Sequence, residues 1–228
     1  MRKGVVGFIA AGLCASAAGA AELTATESRW LQGAWPVIAY AREAKLPLDI
    51  VVQPQPNPGA APLALAFIDG RCKLVLSMRG NTQAQATLDR IEPALLDAAL
   101  ELMAAHELGH CRRYLDGAWY RLPSGFAASP SDPPAAQWQQ AYASMQAARR
   151  EEAYGDLVGL AWTRRHHPRQ YDKLHAWLVR ERSDELITGS HHDTLAWLRL
   201  AGDGQALTTQ PSIFAAAAAL WTDGLAAD

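Results

Sequence analysis

The chain has 228 residues, half of them hydrophobic and 19% charged. That is enough apolar material for one domain or two small ones, and it excludes disorder as the default state. With 21 basic against 23 acidic residues, a formal charge of −2, there is no electrostatic footprint for nucleic acid.

Residues 1–20 have the layout of a secretory signal peptide. Arg2 and Lys3 are followed by an apolar stretch from Gly4 to Ala15, and Ala18-Gly19-Ala20 supplies small residues before the cleavage point. The apolar run is about 12 residues, short of the roughly 20 that a spanning helix needs. Leu13 before Cys14 is not the small residue that a lipid anchor requires. Cleavage after Ala20 leaves residues 21–228, a more acidic chain with two cysteines, Cys72 and Cys111, in a compartment that permits a disulfide. No later run reaches spanning length. The expectation is a secreted or periplasmic protein with no transmembrane segment in its mature form.

In chain order, Leu23 to Ala44 reads as a helix with Leu31, Trp35, Ile38 and Ala39 on its apolar side and Pro36 as a candidate kink. Leu48–Val52 reads as a short strand stopped by prolines 54, 56 and 58. Leu63–Ile68 and Cys72–Met78 are two more strands, with Asp69-Gly70 as the hairpin turn between them. Arg79-Gly80-Asn81 ends the second. From Ile91 to Leu115 the pattern is helical, with Leu95, Leu96, Ala99, Leu102, Met103, His106 and His110 on one broad face and Asp116-Gly117 as the stop. Residues 123–136, rich in Pro, Ser, Gly and Ala, read as an exposed loop. A second long helix is expected from Gln137 to His166, and shorter ones at 169–182, 193–201 and 212–222. The fold class is therefore α+β, with a small sheet of about three strands packed on a long helix and a mostly helical C-terminal half.

His106-Glu107-Leu108-Gly109-His110 fits H-E-x-x-H. On a helix, positions i and i+4 share a face, so two imidazoles can bind one Zn²⁺. Glu107, beside the first histidine, can then take a proton from a water polarised by the ion as that water attacks a carbonyl. A catalytic zinc needs a third protein ligand. A close third histidine is excluded, because position 113 is Arg and position 116 is Asp. Candidates further on are Glu151, Glu152, Asp156, His166, His167, His175, His191 and His192. Glu152 and Asp156 stand four apart on one face of the second long helix, and the apolar Leu157, Leu160 and Ala161 beside them suggest that this face is inward. A buried carboxylate there needs a charge partner. Asp156 suits the outer N–H of a ligating histidine. Glu151 and Glu152 also admit a plainer reading, as a solvated charge patch with Arg149 and Arg150. His166-His167 reads as a contact with the C-terminal dipole of its helix, and His175 as a surface residue.

H-E-x-x-H followed by a helical E-x-x-x-D resembles the gluzincin class of zinc metallopeptidases. The stretch Glu151 to Leu160 is most similar to the Glu-x-x-Ala-Asp helix of the CAAX-prenyl-protease-like peptidases and their soluble periplasmic relatives. It has Gly155 where Ala is usual. The resemblance spans about 60 residues. It implies a zincin-like fold, His106, His110 and Glu152 as Zn²⁺ ligands, Glu107 as general base and Asp156 behind the ligands. Such peptidases place a strand with a free edge beside the active-site helix, where a peptide backbone can pair. Cys72–Met78 is the candidate. A Cys72–Cys111 disulfide would tie that strand to the motif helix, the alternative being Cys111 as a free thiol near the metal. His191 or His192 is the candidate for stabilising the oxyanion, His192 being taken as the catalytic one, with a surface role as the alternative. The implied activity is a zinc-dependent hydrolase acting on a peptide or protein substrate, an endopeptidase rather than an exopeptidase. The competing expectation is a catalytically silent peptide- or protein-binding module on the same fold.

Overall fold

The computed structural model describes residues 22–54, 60–126, 135–184, 187 and 189–226. The expected signal peptide and most of the loop expected at 123–136 lie outside the described residues.

The first helix, α1 (Ala25–Glu43), starts at a capping box. The Thr24 hydroxyl accepts from Glu27 N–H at 3.2 Å, and Glu27 accepts from Thr24 N–H at 2.7 Å. Pro36 lies within it. The buried stripe is Trp30, Ala34, Val37, Ile38 and Ala41. This corrects the expected stripe by about one residue: Trp35 is 47% exposed, with the Arg42 guanidinium over its ring. Trp30, whose indole donates to the Ala84 carbonyl, and Val37 on the neighbouring stripe are buried in its place, so either face satisfies the helical period. Only the partner selects one.

Three strands follow: β1 (Leu48–Pro54), β2 (Leu63–Ile68) and β3 (Arg71–Arg79). The β2–β3 hairpin turns at Asp69 (φ 52°) and Gly70 (φ 73°). Two consecutive left-handed residues match the right-handed twist of the strands, as the Asp-Gly pair led one to expect. The sheet order is β1-β3-β2, with β1 parallel and β2 antiparallel to β3. So β3 is the central strand. This corrects the expectation that Cys72–Met78 offers a free edge: the tight hairpin takes one side of β3, and β1 takes the other. Central placement agrees with its burial, since Cys72, Leu74, Leu76 and Met78 are all nearly inaccessible.

A short helix, α2 (Thr82–Asp89), was not expected from the sequence. Asn81 caps it by accepting from Gln83 N–H at 3.0 Å, while its amide donates to the Ala60 and Ser77 carbonyls. A 3-10 turn at Pro93–Leu95 leads into α3 (Leu96–Leu115). This helix is the centre of the molecule, packed against α1, β2 and α4 (Gln139–His166). Cys72 in β3 and Cys111 in α3 are disulfide-bonded, with Cα atoms 5.6 Å apart. Closing that loop restricts the unfolded chain by roughly 3–4 kcal/mol in the entropic account. Helices α5 (Tyr171–Ser183), α6 (Leu195–Leu200) and α7 (Ile213–Leu225) complete the α+β fold around α4. No helix of the described residues is long and apolar enough to cross a membrane.

Helices α3 and α4 approach through glycines. A Cβ on Gly109 would lie 3.1 Å from Val158 and 3.2 Å from the Gly155 backbone, and one on Gly159 would lie 2.8 Å from the Leu102 carbonyl. Small residues let the two backbones close to a distance that side chains elsewhere forbid. This seam carries the candidate site.

Candidate metal centre

His106 and His110 point from α3 to α4, their Nε2 atoms 2.9 Å apart. Glu152 of α4 closes the triangle, its carboxylate oxygens 3.5 Å from His106 Nε2 and 3.5 Å from His110 Nε2. The three donor atoms lie within 4.8 Å of one another. A tetrahedral ion with bonds of about 2.0–2.1 Å sets its ligand atoms roughly 3.3 Å apart. The three residues therefore fit a metal ion. Among the described residues this is the one group of three or more His, Cys, Asp or Glu side chains so arranged.

The second sphere fixes the tautomer. Asp156, fully buried, accepts from His106 Nδ1–H at 3.0 Å, which leaves the Nε2 lone pair facing Glu152 and His110. Asp156 also accepts from Thr194 Oγ at 2.7 Å, and from Arg182 at 2.9 Å (Nε) and 2.6 Å (Nη2). Arg182 Nη2 donates to Glu152 as well, at 3.3 Å. Burial pushes Asp156 upward, but the Arg182 charge and the His106 and Arg182 hydrogen bonds hold it well below the usual carboxylate range. Glu152 meets the same contest and ends at about 2, held down by His110, His106 and Arg182. Burial pulls His106 down. Its hydrogen bond to Asp156 and the Glu152 charge outweigh that, so its pKa is raised. Half-buried Glu107 goes the other way: burial raises its carboxyl above the ordinary value, against the lowering effect of both histidines. His110 Nδ1 is buried and has no hydrogen-bond partner, and the Trp119 ring stands perpendicular to its ring, 5.4 Å between centroids.

The ambiguity between the adjacent glutamates resolves geometrically. Glu152 faces the histidines, whereas Glu151, 1% exposed, turns to Arg113 and binds it through both oxygens (2.9 and 2.8 Å). Glu151 is thus no solvated residue. His192 sits on the exposed segment before α6, near enough to Arg182, Glu152 and Asp156 to feel their charge. Partial burial and the Arg182 charge hold its imidazole below the ordinary value. It pairs with the neighbouring ring of His191 at 4.0 Å. The other histidines lie away from the centre. His166 lies in the last turn of α4, where the dipole reading put it, and stacks on Trp162 at 3.8 Å, while His167 donates to buried Glu101 at 2.9 Å. His175 is half-buried and bonds the Leu198 carbonyl at 2.8 Å, a correction to its surface reading.

Sequence reasoning missed Arg182 and Thr194, which hold Asp156 from α5 and from the residue before α6. It flagged Gly155 only as a departure from the usual Ala. The reason is steric: a Cβ at 155 would lie 2.7–2.9 Å from three atoms of the His106 ring. Gly155→Ala is therefore expected to displace His106 and to destabilise the chain by about 1–3 kcal/mol, the usual cost of overpacking. Affinity for a divalent metal ion should fall with it, by about tenfold or more, as for a disturbed supporting residue. Chelator competition on the purified variant measures this, and unchanged affinity would contradict the tight seam. Compared with protein-family profiles, curated proteins and solved structures, the chain has no significant match.

Proposed function

We propose that the chain is a secreted or periplasmic zinc metallopeptidase of gluzincin type on a zincin-like scaffold. The observation that carries the reading is the convergence of His106 Nε2, His110 Nε2 and Glu152 on one point, with Glu107 beside them. Two imidazoles and one carboxylate are a catalytic donor set, whereas structural zinc sites close all four positions with protein ligands. When bound there, zinc supplies the Lewis acidity that amide hydrolysis needs near neutral pH. Glu107 would take a proton from the attacking water as its oxygen joins the carbonyl carbon, and would then hand that proton to the amine as the C–N bond breaks. Its raised pKa brings it nearer the working pH for both transfers. Asp156 keeps His106 in the tautomer that leaves Nε2 free, and Arg182 keeps both carboxylates ionised. Secretion is supported by the N-terminal segment read above and by the Cys72–Cys111 disulfide.

An extended substrate needs a strand edge, and β2 now takes that role. Among the described residues its outer side is unpaired, it packs on α3, and its Phe67 stacks on Tyr114 one turn beyond His110. The test is cleavage of casein by zinc-loaded wild type against Glu107→Gln. Loss of the general base lowers the rate by about 10²–10⁴-fold, while zinc content stays at the wild-type level. Zinc-loaded wild type that cleaves nothing would favour the binding-module alternative.

A further inference from the structure

Glu151 and Glu152 are consecutive, yet they serve two structures. Behind the metal ligand, Glu151 and Arg113 form a buried ion pair (side chains 2% and 10% exposed). Glu151 accepts the backbone N–H of Tyr120 at 2.8 Å, and Arg113 donates to the Arg121 carbonyl at 2.9 Å. The loop after α3 is therefore clamped at two successive residues. A buried ion pair is a weak source of net stability, because apolar residues of the same volume do as well or better. What it supplies here is position.

The clamped residue is strained. Tyr120 has φ 61°, the left-handed region that a bulky L-residue avoids, and it is 51% exposed. Glycine would adopt that backbone freely. Strain of this kind is held at functional sites when surrounding contacts enforce it. The ring belongs to a row of four: Phe67 on Tyr114 (4.9 Å), Tyr114 on Trp119 (4.0 Å) and Trp119 on Tyr120 (5.0 Å). Trp119, stacked with both tyrosines, stands perpendicular to the His110 ring. The row thus begins on β2, whose outer edge is unpaired among the described residues, passes His110 and ends on an accessible aromatic ring.

We infer that Tyr120 is a specificity-determining residue, whose ring receives an aromatic or large aliphatic side chain of the peptide next to the bond that is cut. The inference rests on the peptidase reading for the identity of the occupant. A large apolar side chain both fills an aromatic platform and gains a favoured ring–ring geometry.

Binding separates this from the reaction. The zinc-loaded Glu107→Gln protein is titrated by calorimetry with an end-capped pentapeptide carrying one phenylalanine among alanines, and with its all-alanine counterpart. The phenylalanine peptide should bind about tenfold tighter, a typical margin for an apolar pocket. Adding Tyr120→Gly should bring the two peptides to equal affinity, and Tyr120→Phe should keep the margin. Glycine relieves the backbone strain, so a merely structural Tyr120 predicts unchanged preference and a higher Tm in Tyr120→Gly. Equal affinity of the two peptides in the parent, or a preserved margin in Tyr120→Gly, overturns the subsite. Preference in binding without cleavage by wild type overturns the peptidase reading and leaves the subsite standing.

Discussion

Wild-type protein loaded with zinc and dialysed against metal-free buffer is expected to keep about one ion per chain, and His106→Ala and Glu152→Gln less than about a tenth of that. Changes behind the ligands alone lower affinity by about 10–100-fold, so removing a donor exceeds that range. Glu152→Gln keeps the shape of the side chain and removes only its charge, which isolates the electrostatic contribution to the ion. Glu151→Gln is the internal control. Its carboxylate binds Arg113 and Tyr120 N–H and not the histidines, so this variant should retain zinc while loosening the loop after α3. Elemental analysis of the four proteins decides the matter. Zinc lost equally from Glu151→Gln and Glu152→Gln would mean that the ligand assignment is wrong, and zinc absent from wild type would remove the metal centre altogether.

The second large effect is expected from Arg182→Ala in the metal-free protein. Asp156 is fully buried, and Arg182 is 15% exposed at its side chain. Breaking a buried ion pair by deleting one partner typically costs about 3–5 kcal/mol, because the remaining charge stays unpaired. Urea unfolding measures it, and a loss under about 1 kcal/mol would contradict the pairing. The pH dependence has a definite sign. Asp156 and Glu152 both titrate below their ordinary values, Glu152 at about 2. A depressed carboxyl contributes stability that is complete above the unfolded value, about 4, and that disappears as the pH falls through the folded one. The gap between wild type and Arg182→Ala should therefore be full at neutral pH and shrink between about pH 4 and about pH 2.

The contrast between His106 and Arg182 shows what the sequence exposed and what it hid. The histidine pair was legible because both members lie on one helix, where spacing fixes the face they share. Glu152 followed from a second spacing, four residues before Asp156 on another helix. Arg182 had no such mark. Its partners precede it by 26 and 30 residues, and locally it is one of two arginines at a helix end, the other, Arg180, being exposed. Trp119 and Tyr120 were hidden for the same reason, since only the ion pair beneath them gives the loop its place. For the fold, periodicity marked the long helices and Asp-Gly marked the hairpin. The parallel pairing of β1 with β3 was not legible, because strand order is decided by long-range pairing and leaves no local pattern. Helix α2 escaped because only Ala84 and Leu88 are buried along its eight residues.

The disulfide partitions the chain. Residues 72–111 form a closed covalent ring that carries both histidines, and Glu152, Asp156 and Arg182 all hang outside it on the downstream tail. The centre is thus assembled from a cross-linked segment and the tail that follows it, which meet at the glycine seam and, further out, through Glu101–His167, Arg90–Glu181 and Glu92–Lys173. If α4 to α7 peel away, the ring keeps His106 and His110 beside the sheet as a two-donor fragment, while the carboxylate and its supporting charges depart together. A metal ion held by all three donors would add one more link between the two sides.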